Sequence, residues 1–113
     1  MLYRKLVRET RIRRSILAGL TKDVIKNEYV VTTDARAKEV RKFVDKMITY
    51  GKDGSLVSRR KALAFLQNDT VAVNKVFNEL AKRYETRNGG YTRLVKLNER
   101  KGDDAMQIRI ELV

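Results

Sequence analysis

Arginine, lysine, glycine and tyrosine side chains are concentrated in two segments of the chain, and these residue types are suited to binding a polyanion. The segment from Arg87 to Arg93 reads Arg-Asn-Gly-Gly-Tyr-Thr-Arg. Paired glycines allow positive φ angles and a close approach to another backbone. The flanking arginine and tyrosine side chains offer positive charge and stacking surfaces to nucleotides. A helix stop followed by a hairpin would account for the segment equally well, although it needs only one of the two glycines.

The second basic segment lies at the amino terminus, where six basic residues occur within the eleven positions from Arg4 to Arg14. Arginine predominates in this segment, and its planar guanidinium can donate two hydrogen bonds to phosphate and can stack on bases. A solvated terminus that binds nothing would gain nothing from arginine over lysine. The composition therefore favours phosphate contact.

The net charge of +12 at neutral pH comes from 26 basic and 14 acidic residues, and it is unevenly distributed. Residues 1–26 carry +6 and residues 82–101 carry +5, whereas residues 27–81 carry +3 and residues 102–113 carry −2. A basic surface that serves only solubility would mix the two signs more evenly. The clustering predicts two contact regions for nucleic acid on one body.

The residue types that are missing exclude several classes of function. The sequence has no cysteine and no histidine, which excludes disulfides, Cys/His zinc sites and the common nucleophilic triads. The pair Asp103-Asp104 offers too few oxygen ligands for a hard cation, and no glycine-rich phosphate loop is present. No run of about 18 apolar residues occurs. We therefore predict no enzyme activity, no metal or other cofactor, no small-molecule substrate and no membrane partner.

The elements that must position the basic segments follow from the periodicity of apolar residues. A helix is predicted from about residue 12, then a strand at Tyr29–Thr32, then three helices, then two strands that pair with each other. The strict alternation of apolar and polar residues from Met106 to Leu112 marks the last strand. The order αβαααββ predicts an α+β fold, with helices packed on a small antiparallel sheet. We expect residues 1–11 to form a basic arm and residues 12–113 a single globular α+β domain.

Helical periodicity also predicts which side chains form the core. The first helix presents Ile12, Ile16, Leu17, Leu20 and Val24 on one face. The second, for which Thr33 is the expected N-cap, presents Ala37, Val40, Phe43, Val44, Met47 and Ile48. The third, capped by Ser55, presents Leu56, Leu63 and Leu66, and the fourth presents Val73, Val76, Phe77, Leu80 and Tyr84.

Short blocks spread over nearly the whole chain resemble the bacterial-type large-subunit ribosomal protein L17 family. The most specific block is Gly89-Gly90-Tyr91-Thr92-Arg93, followed at the family's spacing by Gly102-Asp103 and a closing Glu111-Leu112-Val113. Weaker blocks that also match are Arg4-Lys5-Leu6, Thr32-Thr33, Arg36-Ala37-Lys38-Glu39, Ile48-Thr49, Arg59-Arg60, Phe77-Asn78-Glu79-Leu80 and Arg83-Tyr84.

The resemblance implies a three-stranded, mainly antiparallel sheet and a place on large-subunit ribosomal RNA near the polypeptide exit tunnel. It implies neighbouring large-subunit ribosomal proteins as partners, in the cytoplasmic ribosome of a bacterium or in a mitochondrial or plastid ribosome. Homo-oligomers are not expected. From the composition and the resemblance together, the predicted RNA-binding residues are Arg4, Lys5, Arg8, Arg11, Arg13, Arg14, Arg36, Lys38, Arg59, Arg60, Arg83, Arg87, Gly89, Gly90, Tyr91, Arg93, Lys96, Arg100 and Lys101.

Three other classes of protein remain open from the residues alone. A nucleoid-type DNA-binding protein would carry similar charge, although no recognition-helix arrangement is apparent. An RNA-processing enzyme would need catalytic groups, and the missing histidines disfavour it. An adaptor that binds only proteins would show no salt-dependent binding to nucleic acid.

Overall fold

A computed structural model describes the backbone of residues 2–99, 102 and 106–113, and the side chains of residues 11–98, 102 and 106–113. Helix α1 spans Leu2–Asn27, strand β1 Tyr29–Thr33, helix α2 Asp34–Asp53 and helix α3 Leu56–Phe65. Helix α4 comprises an α-helical part at Thr70–Lys75, a π-helical part at Val76–Leu80 and an α-helical turn at Ala81–Arg83. It is followed by strands β2 (Thr92–Glu99) and β3 (Met106–Leu112). The predicted order αβαααββ and the α+β class are confirmed.

Local residue preferences explain where most of these elements begin and end. The Ser55 side chain accepts a hydrogen bond from the Ser58 N–H at the start of α3, and Asp69 accepts one from the Ala72 N–H at the start of α4. Such caps satisfy amide groups that have no partner within the helix. Gly54 adopts a left-handed conformation with φ 69° and ends α2.

The start of α1 differs from the prediction. The helix begins at Leu2 rather than near residue 12, so the backbone of the predicted arm is helical from Leu2 onwards. The division of the chain into an arm at 1–11 and a domain at 12–113 stays a prediction. Thr33 does stand at the N-cap position of α2, but its side chain makes no capping hydrogen bond.

The sheet has the strand order β1-β3-β2, and both pairings are antiparallel. Ile110 of the central strand lies between Val30 of β1 and Leu94 of β2. Alternate residues of β3 are buried against the helices, as the alternation predicted. The opposite face of the sheet, which carries Arg109 and Glu111 on β3, is more exposed.

The core lies between the helices and the inner face of the sheet. Its largest fully buried side chains are Val24 and Ile25 of α1, Val40, Val44, Met47 and Ile48 of α2, Leu66, Val73, Val76 and Leu80 in and before α4, and Ile108 and Ile110 of β3. Two predicted core residues are wrong, because Ile12 is 62% exposed and Leu56 is 64% exposed. The buried residues thus pack α2 and α4 together at the centre of the protein, and the basic segments lie around this centre.

Candidate nucleic-acid interface

The amino-terminal cations project from α1, whose first described side chains are exposed. Arg11, Arg13 and Arg14 are all exposed, whereas burial of this helix begins at Leu17. Arg13 forms an ion pair of 3.3 Å with Glu39 of α2. Arg11 and Arg14 make no ion pair with any described side chain and line an open groove beside α3. The side chains of Arg4, Lys5 and Arg8 lie outside the described residues.

Predicted contact residues on α2 and α3 lie in different surroundings. Arg36 is exposed in the first turn of α2 and lines a shallow groove with Arg13. Lys38 pairs with Asp34 of the same helix at 3.3 Å, a solvent-exposed contact of low strength. Arg60 is exposed on α3.

Arg59 of α3 is held against α4. Its guanidinium donates a short hydrogen bond to the Asn74 side chain and lies 5.0 Å from the centre of the Phe77 ring. A guanidinium over an aromatic face is stabilised by the ring quadrupole. Arg59 is therefore oriented by the protein, with part of its side chain still accessible.

Arg83 is engaged within the protein. It forms two hydrogen bonds with Glu28, of 2.5 and 3.1 Å, and a third of 3.0 Å with Glu79. Lys75 also reaches Glu28, at 3.5 Å. The hydrogen bond from Arg83 holds the pKa of Glu28 below its ordinary value, and the same pairing raises the pKa of Arg83. The predicted role of Arg83 in RNA binding stays a prediction, but the structure gives this side chain a role in joining the connection between α1 and β1 to α4.

The Gly-Gly segment forms a turn between α4 and β2. Gly89 and Gly90 have φ angles of 82° and 63°, and nothing lies within 4 Å of where a side chain would begin on either residue. Left-handed angles of this kind favour glycine at both positions. Arg87 is exposed, and its Nε donates a hydrogen bond of 3.1 Å to the Gly90 carbonyl. The turn therefore presents open backbone beside an exposed guanidinium.

Tyr91 differs from the prediction that its ring offers a stacking surface to a base. The residue is 3% exposed, belongs to the core and packs on Tyr84 with 5.2 Å between ring centres. Lys52 donates hydrogen bonds to the Tyr91 hydroxyl at 3.0 Å and to the Arg87 carbonyl at 2.6 Å. Burial raises the pKa of Tyr91, but the contacts of Lys52 and the Gly89 backbone lower it more. Tyr91 thus anchors the turn from beneath.

The two remaining described residues of the prediction lie on β2. Arg93 lies on the outer face of the sheet, where its Nε and Nη2 donate to Glu111 at 3.1 and 2.9 Å and its side chain is 64% exposed. Lys96 is exposed opposite Ile108. Arg100 and Lys101 lie outside the described residues.

Sequence reasoning missed cations that the structure places beside the predicted ones. Arg109 lies 4.2 Å from the centre of the Tyr29 ring on the outer sheet face. The alternation of β3 placed Arg109 on that face, but not which ring it would meet. Lys61 lines the same groove as Arg11 and Arg14, and its position in the triplet Arg59-Arg60-Lys61 was the available signal.

Asp45 of α2 is a half-buried acid close to the start of β2. Burial raises the pKa of Asp45 above its ordinary value. Asp45 Oδ1 and Thr92 Oγ1 are buried without a hydrogen-bond partner among the described residues. Within the described part of the chain, no group of three or more carboxylates is placed to hold a metal ion. No helix in this part is long and apolar enough to cross a membrane.

Comparison with known proteins identifies what the chain is similar to. A family model described as Ribosomal protein L17 matches residues 16–113. The large ribosomal subunit protein bL17 of Ligilactobacillus salivarius is 52% identical over 126 aligned positions, which cover 100% of this chain and 99% of the relative. The proteins of the same name from Streptococcus gordonii and Lactococcus lactis subsp. cremoris are each 50% identical, with full coverage of both chains.

Proposed function

Because the chain belongs to the ribosomal protein L17 family, we propose that it binds folded large-subunit ribosomal RNA through the cations of α1 and of residues 82–101. Family membership makes the chain a structural, non-enzymatic constituent of the large ribosomal subunit. Beyond family membership, we propose which surface of the chain contacts RNA.

The observation that carries the proposal is the concentration of positive charge in two segments. Residues 1–26 and 82–101 carry +6 and +5 of the net +12. Positive side chains neutralise phosphate and release its condensed counterions, which is the main source of affinity for nucleic acid. The outward position of Arg11, Arg14, Arg60, Arg87 and Lys96 leaves these groups accessible to phosphate.

The rigid body supports specificity for folded RNA rather than for a base sequence. The Gly89-Gly90 turn is anchored by Lys52 and Tyr91, so its open backbone is held in one place. Backbone and phosphate contacts from several fixed points select a three-dimensional shape. The proposed partners are large-subunit ribosomal RNA and neighbouring ribosomal proteins.

The resemblance in sequence implies a location near the polypeptide exit tunnel of a bacterial ribosome, and we include this location in the proposal. A photoreactive group at Arg60 of the assembled subunit tests it. Crosslinks to proteins or RNA of the tunnel rim are the expected result. Crosslinks confined to the subunit interface would refute this part of the proposal.

The salt dependence of binding tests phosphate contact directly. If about eight phosphates are neutralised, the logarithm of affinity should fall with the logarithm of salt concentration at a slope of roughly −6 to −7. The measurement is a series of filter-binding titrations with a transcript of large-subunit ribosomal RNA. Binding that does not respond to salt would refute the proposal. Equal competition by duplex DNA would favour the nucleoid alternative.

A charge-matched pair of variants tests which cations make the contacts. Arg87→Gln with Lys96→Gln should flatten the salt slope by roughly 1.4 to 1.8, because each lost phosphate contact contributes about 0.7 to 0.9. Lys42→Gln with Lys46→Gln removes the same charge from exposed positions of α2 that are outside the predicted site. Circular dichroism should be native for both double variants. Equal slopes would remove residues 82–101 from the interface.

A further inference from the structure

A groove between α1, α2 and α3 combines aromatic and basic side chains. It is lined by Arg11, Arg14, Ser15 and Ala18 of α1, Phe43 of α2, Lys61, Ala64 and Phe65 of α3, and Gln67 after α3. The groove has a volume of about 720 Å³, which is within the range of roughly 300–1,000 Å³ typical of ligand sites. Three of its described lining residues are cations and none of them is a carboxylate.

Two aromatic rings form the apolar part of this groove. Phe43 and Phe65 stack with 4.7 Å between ring centres and an interplanar angle of 24°. Both rings pack against the core on one side, yet both remain only partly buried. Aromatic side chains that are left partly open beside cations are the usual support for an unstacked base.

The cations around the rings are available to a ligand. Arg11, Arg14 and Lys61 are exposed and form no ion pair with a described side chain. Gln67 is held at the rim of the groove by Lys22, which donates to its Oε1 at 2.9 Å, and its own Nε2 donates to Ser15 Oγ at 3.4 Å. The rim is therefore organised by the protein, and its cations form no ion pair within the described part of the chain.

The groove on the other side of α1 provides a contrast. It is lined by aliphatic residues, namely Ile12, Ile16, Leu17 and Ala35, together with Arg13, Arg36 and Glu39. Its charge is partly neutralised by the ion pair between Arg13 and Glu39. It offers no aromatic ring and mixes both signs of charge. The combination of stacked rings with three cations and no described lining carboxylate is found in the Phe43–Phe65 groove and not in this one.

We propose that the Phe43–Phe65 groove holds one unpaired nucleotide of the bound RNA, with its base against the phenylalanine rings and its phosphates near Arg11, Arg14 and Lys61. This proposal rests on the proposed function, since it names a site within the RNA interface. A base supplies the flat apolar surface that the rings require, and its phosphates supply the negative charge that the three cations require. A single-stranded loop or bulge offers both, whereas a continuous duplex keeps its bases stacked inside.

The experiment separates the base from the phosphates. The full chain is titrated at low salt with an adenylate octamer and with an abasic ribose-phosphate octamer of the same charge. The wild-type protein should bind the adenylate octamer about 5- to 100-fold more tightly, which corresponds to stacking of one base. Phe65→Leu should bring this preference close to one and leave the affinity for the abasic octamer unchanged. Tyr50→Leu, a matched change at another partly buried ring, should keep the preference.

A tryptophan reporter gives a second readout that does not depend on the stability of the leucine variant. The sequence contains no tryptophan, so Phe65→Trp introduces a single emitter and keeps a flat aromatic surface. Its fluorescence should be quenched by the adenylate octamer and not by the abasic one, while the fluorescence of Tyr50→Trp should not differ between the two octamers. Absence of a base preference in the wild type, or its survival in Phe65→Leu, would overturn the groove proposal.

Failure of the groove proposal can be told apart from failure of the proposed function. A protein that binds both octamers equally and with a steep salt slope retains phosphate binding without a base site. If the protein binds neither octamer and no ribosomal RNA transcript, both proposals are refuted.

Discussion

Gly51 of α2 lies against Val76 of α4, and its replacement by alanine should destabilise the protein. A Cβ atom at this position would lie 2.8 Å from Val76 Cγ1 and 2.9 Å from the Val76 carbonyl oxygen. Non-bonded carbon atoms prefer separations of about 3.5–4.0 Å. The valine side chain could rotate, but the carbonyl belongs to the backbone and accepts the Ala81 N–H within the π-helical part of α4. Relief therefore requires α4 to move away from α2.

The size of the effect follows from two opposing contributions. Alanine is favoured over glycine in a helix interior by about 1 kcal/mol. Overpacking of a buried contact costs about 1–3 kcal/mol or more, and a rigid backbone neighbour places Gly51→Ala at the upper end of that range. The net loss in the free energy of unfolding is expected to be about 1–2 kcal/mol. For a chain of this length the melting temperature should fall by about 4–8 °C.

Gly19 supplies a matched control within α1. A Cβ atom at Gly19 would have nothing within 4 Å, so Gly19→Ala should raise the free energy of unfolding by about 0.5–1 kcal/mol through helix propensity alone. Thermal and urea unfolding of the full chain, followed by circular dichroism at 222 nm, measures both variants. The two substitutions are chemically identical and are predicted to change stability in opposite directions. Equal stabilisation by both would refute the close approach of α2 to Val76.

Two further predictions concern carboxylates. Burial raises the pKa of Asp45, so the contribution of this residue to stability is complete below the ordinary pKa of 3.8 and is lost as pH rises through the raised pKa. Asp45→Asn should therefore stabilise the protein at pH 7 but not at pH 3. Urea titrations across pH measure this difference. Asp69→Ala should cost about 1–2 kcal/mol at pH 7, since Asp69 caps α4 and pairs with Lys26 at 2.5 Å. The hydrogen bond from Lys26 lowers the pKa of Asp69, so the loss of stability in Asp69→Ala should become smaller as pH falls below 3.8. A loss that does not depend on pH would contradict the ion pair between Asp69 and Lys26.

The element order could be predicted because the regular spacing of apolar residues extends over several turns of the main helices and over the whole of the last strand. Met106 to Leu112 alternates without exception, and the structure buries Ile108, Ile110 and Leu112 of this strand as predicted. The limits of burial could not be predicted in the same way. Periodicity shows that Ile12 and Leu56 lie on the apolar sides of their helices, but not that the neighbouring elements stop short of both. Burial at a given turn of a helix depends on which neighbouring elements cover it, and the local sequence does not encode this.

The start of α1 shows a second limit of pattern reasoning. No apolar stripe of helical width precedes residue 12, and this absence predicts a basic arm over residues 1–11. Arginine, lysine, leucine and glutamate are nevertheless good helix formers, and the backbone of residues 2–11 continues α1. The π-helical part of α4 has no local signal either. It widens the helix at Val76, beside the close contact with Gly51, and contacts between elements distant in sequence are not visible in either segment alone.

The basic residues divide into two groups that the sequence cannot distinguish. Arg83 pairs with Glu28, 55 positions away, and Lys75 reaches the same carboxylate from 47 positions away. These partly exposed ion pairs join the connection between α1 and β1 to α4. Arg11, Arg14 and Lys61 are chemically similar, yet they surround the groove without a described carboxylate partner. Charge counting therefore located the basic segments, but only the fold separates cations that stabilise the body from cations available to phosphate. Clustered unpaired charge weakens the free protein by self-repulsion, and bound RNA would relieve that repulsion at the site where it acts.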